Sequence, residues 1–283
     1  MRTRDKKGQF KKDELSKKEI IDLLQKCERE HGKVVQRTYS NYLSRSQILQ
    51  KFESPAHAKI KAGIHNIGAV RSKHMRKLLN NKIENDDYIN EVLTGLMMSD
   101  ASATKNTEKR NTMIQLEMVN EEFVDYIREI LGPLATDVKT YTRTNKTDLS
   151  NDEFTIQVYK LRTRRLKGFN KYRHEWYDNG NKIFPIKNIE LTPTVLKMWY
   201  VGDGDMSTDK RWNTKHYARI TSLNEIDRQE DINCLFKDLP FEPNWNDGPR
   251  FTFGLEGSKE FWDYIGKKVP GYEYKWPDKE YYK

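Results

Sequence analysis

Asp100 and Asp203 each close an apolar, helix-periodic segment: Leu93-Thr-Gly-Leu-Met-Met-Ser-Asp100-Ala and Leu196-Lys-Met-Trp-Tyr-Val-Gly-Asp203-Gly. Gly, Ser and Ala gather where the apolar run stops and charged residues begin, which is a helix stop signal. Both acids are therefore expected at helix C-termini, where the negative end of the helix dipole opposes them. Bringing two such ends together adds like-charge repulsion. A cation relieves both costs. Mg2+ takes oxygen ligands and keeps several waters, so one or two ions bridging Asp100 and Asp203 would place activated water near a bound phosphate. This donor set predicts hydrolysis of phosphodiesters, with Asp205 as a local rival in the second segment.

Two acids held in this way require two copies of one scaffold, and the chain repeats itself. Val119-Asn120-Glu121 and Leu223-Asn224-Glu225 each follow a strand-like run and open a helix with an Asn cap, and Phe154-Thr-Ile156 matches Phe251-Thr-Phe253. Strands are expected at 112–118, 136–143 and 153–159 in the first copy and at 217–221, 241–245 and 250–255 in the second. Each copy reads helix, strands, helix, strands, helix, which is an α+β pattern. Antiparallel sheets with one face on helices leave a polar face free to follow a duplex groove.

The two segments resemble the LAGLIDADG motif of homing endonucleases, whose eighth-position acid is catalytic; here that position is Asp100 and Asp203. The second copy, Trp199-Tyr200-Val201-Gly202-Asp203-Gly204 after Leu191-Thr192-Pro193, is similar to the variant of single-chain members. The run Glu175-Trp176-Tyr177-Asp-Asn-Gly-Asn-Lys182-Ile-Phe-Pro185 is also similar to family sequences, and the resemblance spans residues 87 to 268. It implies two pseudo-symmetric αββαββα halves, residues 87–190 and 191–283, with antiparallel DNA-binding sheets. It further implies Mg2+-dependent, sequence-specific double-strand DNA cleavage in intron homing, with staggered cuts across the minor groove. Two copies in one chain imply a monomer with a long asymmetric target. Family members often carry a lysine at the end of the strand that leads to the metal site. Lys160 takes that place, whereas the second copy has Glu256 and Gly257 there with Lys259 nearby. Two departures stand out. The sixth motif position is Met98 and Val201 rather than Asp, and the small third-position residue is Gly95 in the first copy but Met198 in the second. A looser helix approach is therefore expected from the second half. The alternative reading is a non-cleaving nucleic-acid binder, such as an intron RNA maturase or a transcription regulator.

Charge points to the same partner. The 283-residue chain carries a formal net charge of +9, and residues 1–80 hold 20 Lys/Arg against 8 Asp/Glu while residues 81–283 hold 31 against 34. A basic front section gains affinity for phosphates by counterion release without reading sequence. It is expected to form a small all-helical DNA-binding module over residues 1–66, joined by a basic linker over 67–86. Ser16-Lys-Lys-Glu19 is a capping box followed by Ile20, Ile21, Leu24 and Cys27 at helical spacing up to Gly32. A second helix near Ser44 to Ser46 carries Ile48, Leu49 and Phe52, and Ser54-Pro55 opens a third. The motif Glu30-His-Gly32 with Tyr39, Ser46-Gln-Ile48 and Ala62-Gly63 is similar to small helical repeats attached to homing endonucleases.

Candidate DNA contacts are Lys105, Lys109, Arg110, Lys139, Arg143 and Lys146 in the first half. In the basic run after the strand they are Arg162, Arg164 and Arg165, and in the second half Lys210, Arg211, Lys215 and Arg219. Cys27 and Cys234 lack the paired spacing of a zinc knuckle or disulfide framework and read as buried or inert thiols. No signal-peptide core and no run of about 18 apolar residues occurs, so an intracellular protein acting on DNA, not in a membrane, is expected. The opening of a calcium loop at Asp203-Gly-Asp205 lacks the sixth-position Gly and twelfth-position Glu. Of the aromatic tail, Tyr272, Tyr274, Trp276, Tyr281 and Tyr282 are expected to pack on the core rather than stack on bases.

Overall fold

The structure is a computed structural model that describes residues 15–32, 34–64, 67, 73–105, 107, 110–146, 153–208, 215–245 and 248–278. It divides into two compact units, one of residues 1–79 with 132–134 and one of residues 80–131 with 135–283.

The first unit is built from α1 (Lys17–His31), α2 (Gln36–Tyr39), α3 (Arg45–Lys51), α4 (Pro55–Lys61) and the opening of α5 (Lys73–Asn85). The capping box holds. The Ser16 hydroxyl accepts from Glu19 N at 3.2 Å, and the Glu19 carboxylate accepts from Ser16 N at 2.7 Å. Gly32 ends α1 at φ 63°, a left-handed conformation that a Cβ would disfavour. Ser44 and Ser54 cap α3 and α4, with Pro55 in the first turn of α4. Helix α2, only one turn long, was too short to register as a period in the sequence. Ile20, Leu24, Cys27, Tyr39, Ile48 and Phe52 form the core, whereas Leu49 faces solvent. Lys59 is buried and its ammonium donates to the Val34 carbonyl, which partly compensates its desolvation.

In the second unit the first half runs α6 (Asp87–Met98), β1 (Ser102–Thr104), β2 (Met113–Met118), α7 (Glu121–Leu131), β3 (Lys139–Lys146), β4 (Glu153–Arg162) and α8 (Asn170–Glu175). A short hairpin, β5 (Tyr177–Asp178) and β6 (Asn181–Lys182), leads to the second half. That half runs α9 (Pro193–Asp203), β7 (Gly204–Thr208), β8 (His216–Thr221), α10 (Gln229–Phe236), β9 (Asn244–Trp245), β10 (Arg250–Thr252) and α11 (Gly254–Ile265). The two sheets have the same antiparallel order, β1-β2-β4-β3 and β7-β8-β10-β9, so the fold is α+β with pseudo-symmetric halves. Ile114, Leu116 and Met118 point one face of β2 into the core, and Gln115 and Glu117 stand on the other.

Several local expectations change. Strands β1 and β7 follow the two motif segments directly, where none was expected. The last strand stops at Thr252 because Gly254, at φ 66°, turns the chain into α11. Phe241 is buried among Phe236, Phe253 and Phe261, and β9 begins only at Asn244. Asn120 does cap α7, accepting from Phe123 N at 3.0 Å. In the second half a 3-10 stretch over Leu223–Arg228 intervenes before α10. Cys234 is exposed, unlike Cys27. Among the described residues no helix is long and apolar enough to cross a membrane.

Candidate active site

Helices α6 and α9 carry the two acids, and glycine lets them approach closely. Asp86 caps α6 by accepting from Ile89 N at 3.1 Å, and Thr192 caps α9 by accepting from Val195 N at 3.3 Å. A Cβ on Gly95 would lie 2.3 Å from the Val195 carbonyl oxygen and 2.6 Å from Met198 Cβ. One on Gly202 would lie 2.4 Å from Ser99 Cβ and 3.1 Å from Asp100 Oδ2. All of these are closer than ordinary contact. The third motif positions, Gly95 and Met198, thus meet each other, as do the seventh, Ser99 and Gly202. Met198 does not loosen the approach as expected, because each large residue faces a glycine.

The crossing delivers both carboxylates to one end of the helix pair. Asp203 is the last residue of α9, while α6 stops at Met98 and Asp100 lies in the turn beyond it. Burial and then the Asp100 charge push the Asp203 pKa up to about 7, against the pull of Lys182. Burial also raises the Asp100 pKa, opposed by Lys182 and Lys275. Asp100 and Lys182 both keep solvent-exposed surface. The buried Trp199 indole N–H, one turn before Asp203, has no hydrogen bond of good geometry, though it also pulls the Asp203 pKa down. Asp205, the local rival, sits in β7 and accepts from Arg219 Nε at 3.1 and 3.2 Å.

Two lysines that the sequence reading did not single out complete the arrangement. Asn179-Gly180, both at positive φ, make the tight β5–β6 turn that sets Lys182 beside α6. Its ammonium donates to the carbonyls of Ser99 at 2.8 Å and Ala101 at 3.0 Å. Lys275, from a 3-10 turn in the aromatic tail, is buried and donates to Val201 and Gly204, both at 2.6 Å. Ala101 and Gly204 occupy the same motif position, so each motif helix ends on a lysine that offsets its dipole and its acid. Burial lowers the Lys275 pKa to about 8, against the pull of Asp100, Asp205 and Asp203. A signal existed: both lysines run within three residues into an aromatic and a proline, as Lys182-Ile-Phe-Pro185 and Lys275-Trp-Pro277.

The remaining candidates lie on the sheets. Lys160 on β4 stands opposite Glu117 of β2 and donates to it; Tyr141 and Arg143 bond the same carboxylate at 2.5 and 3.0 Å. Lys139 pairs across from Lys160, and Arg162 donates to Gln115 at 3.0 Å. The lysines acting on Asp100 and Asp203 are Lys182 and Lys275, with Glu225 adding negative charge beside Asp203, whereas Lys160 belongs to this polar sheet face. Arg219 holds the corresponding face of the second sheet with Asp205. Lys105 and Arg110 flank the β1–β2 connection, Arg164 and Arg165 follow β4, and Lys215 precedes β8. Lys109, Lys210, Arg211 and the Lys146 side chain lie outside the described residues, as do Tyr281 and Tyr282. Lys259 pairs with Glu256 on α11 at 3.3 Å. In the tail Tyr272 packs edge-on against Phe123 and Trp276 against Tyr200, while Tyr274 is exposed.

Similarity to known proteins agrees with this fold. The chain is 26% identical over 149 residues to the cytochrome b mRNA maturase bI2 of Debaryomyces hansenii, a match covering 46% of this chain and 55% of that protein. The chain thus spans about half the length of that curated relative. The homing endonuclease I-WcaI bound to its DNA recognition sequence superposes with a TM-score of 0.56 at 15% identity, covering 70% of this chain and 89% of that one, which shows the shared fold. Residues 90–236, more than half of the chain, match the profile of the LAGLIDADG DNA endonuclease family. The chain belongs to that family.

Proposed function

We propose that the protein is a sequence-specific double-strand DNA endonuclease that hydrolyses phosphodiesters with Mg2+ held by Asp100 and Asp203. The observation that carries this reading is the pair of desolvated carboxylates at one end of two glycine-packed helices, each end tied to a lysine. Such a pair fits a hard divalent cation. Its donors are oxygens, and the burial and then the mutual repulsion that together bring Asp203 to about 7 are both offset by added positive charge. When bound, Mg2+ lowers the pKa of coordinated water and offsets charge on the phosphate.

The chain's own residues do the rest. Asp100 and Asp203, both as carboxylates, would hold the ion from the two motif ends. Lys182 and Lys275 keep positive charge at both ends of the pair, where charge develops on the phosphate. Lys160 adds a catalytic cation from the sheet once Glu117 releases it. Backbone contacts come from Lys105, Lys109, Arg110, Lys139, Arg143, Lys146, Arg162, Arg164, Arg165, Lys210, Arg211, Lys215 and Arg219. Two unlike halves in one chain suit a monomer reading a long asymmetric site. The likeness to an mRNA maturase favours a second reading, in which the same fold binds intron RNA without cutting DNA.

The test is Mg2+-dependent cleavage of a randomised double-stranded DNA library, with Asp100→Asn/Asp203→Asn in parallel and the cut ends sequenced. Enriched sites with staggered ends, lost in the variant, are expected. Binding without cutting by either protein would move the reading to an RNA maturase or regulator.

A further inference from the structure

A second set of metal-ligand atoms converges in the first unit, apart from the carboxylate pair. Glu53 lies in the turn between α3 and α4, His57 in the first turn of α4, and His74 at the start of α5. Their ligand atoms all lie within 4.8 Å of one another. His74 Nε2 is 3.1 Å from Glu53 Oε2, and the two imidazole rings are 5.2 Å apart between centroids. His57 Nδ1 is buried without a hydrogen-bond partner, an unmet polar group that a ligand would satisfy. The surroundings fix His57 in place: the Ser54 hydroxyl accepts from its backbone N at 3.0 Å, and Phe52 packs edge-on at 5.6 Å.

We propose that Glu53, His57 and His74 bind a zinc-class divalent ion through two imidazole nitrogens and one carboxylate oxygen, with water as the fourth ligand. Four-coordinate zinc with bonds of about 2.0–2.1 Å holds its ligand atoms roughly 3.3 Å apart. The His74–Glu53 pair already has that spacing, and small side-chain rotations bring His57 in. Imidazole nitrogens suit zinc, copper, nickel and cobalt rather than Mg2+, so this site and the all-oxygen pair Asp100/Asp203 select different ions. Lys17 and Lys61 act on His57 as nearby positive charges and temper the affinity. Bound metal cross-links the α3–α4 turn to α5 and closes the loop between His57 and His74, which stabilises the unit through the unfolded state.

The experiment is a Co2+ titration of the untagged, metal-stripped full chain in excess Mg2+, followed by visible d–d absorption. One equivalent of Co2+ is expected to give tetrahedral bands that one equivalent of Zn2+ bleaches. His57→Ala and His74→Ala lose the bands, and Asp100→Asn/Asp203→Asn keeps them. Glu53→Gln weakens Co2+ binding at least tenfold with an unchanged far-UV circular dichroism spectrum, which covers the case in which a histidine variant fails to fold. Bands that survive His74→Ala, bands that vanish in the double aspartate variant, or no saturable bands in a natively folded chain would each overturn the site.

Discussion

Asp203 has a consequence for stability that can be measured without substrate. Its carboxyl titrates near 7 in the folded protein against an ordinary value of 3.8, so between about pH 4 and 7 the folded state holds a proton that the unfolded chain has lost. Stability of the metal-free protein therefore falls as pH rises through that window, with the full cost present above pH 7. Asp203→Asn removes the cost. It should stabilise the protein in chelator at pH 8 by roughly 1–2 kcal/mol once solvent screening is allowed for, with the gain gone near pH 4. Urea midpoints at the two pH values check this, and an equal gain at both would refute it. Lys275 has the opposite sign: its pKa is lowered to about 8, so its cost is present below pH 8 and relieved as pH rises toward 10.5. Lys275→Met leaves the Val201 and Gly204 carbonyls without their lysine donor and removes one of the two cations near the acids. A drop in kcat of about 100-fold with little change in KM is expected, together with an acid limb shifted to higher pH. A pH–rate profile identical in shape to wild type would mean that Lys275 serves packing alone. On the sheet, Lys160, Tyr141 and Arg143 hold Glu117 below the usual carboxylate range. Glu117→Gln frees those cations, and tighter, less selective DNA binding with a salt slope steeper by about one is expected from a binding titration across ionic strength. The two aspartates were legible because each ends an apolar period beside small residues. Lys182 and Lys275 share a local Lys–aromatic–Pro pattern, but it says nothing of their role, because only a folded chain brings them to helix ends so distant in sequence.

The motif helices meet through complementary asymmetry rather than through matching small residues. Gly95 faces Met198 and Gly202 faces Ser99, so the two copies exchange the roles of knob and hole. Adding Cβ at Gly95 drives it into backbone, the Val195 carbonyl, which cannot move without shifting α9. Gly95→Ala should cost about 2–3 kcal/mol or more, near the upper end for overpacking. At Gly202 the obstacle is the Ser99 side chain, which can be removed. Gly202→Ser alone should destabilise, and Ser99→Gly in the same chain should restore most of the loss. A double-mutant cycle by denaturant unfolding tests the exchange, and additive effects would show that the two positions do not meet. The sequence made Gly95 visible, but Met198 suggested a loose second half because register across two helices is not written in either one. The same limit explains β1 and β7. Each is five residues or fewer and is held by its neighbour strand, so neither displays a period of its own. Helices with caps were easier: Ser16, Ser44 and Ser54 mark their starts by side chains that bond locally.

At the scale of the molecule, charge separates what folds from what attracts a polyanion. The second unit builds a near-balanced scaffold, and on its polar sheet faces Arg143, Lys160 and Arg219 already have acidic partners in the free protein. The excess is carried forward of it, where residues 1–80 hold 20 basic against 8 acidic side chains. If those cations touch DNA, they displace condensed counterions, and each phosphate neutralised adds about 0.9 to the slope of log affinity against log salt. Removing residues 1–66 should therefore weaken binding most at low salt and flatten the slope by several counterions. The Asp100/Asp203 pair would still cut, but would need more protein to do so. The measurement is affinity for one duplex at four or five salt concentrations for the full and shortened chains, with Mg2+ replaced by Ca2+ to hold cleavage back. A parallel drop in affinity at every salt concentration, with no change of slope, would mean that the front section acts through the stability of the rest and not as a phosphate-binding surface.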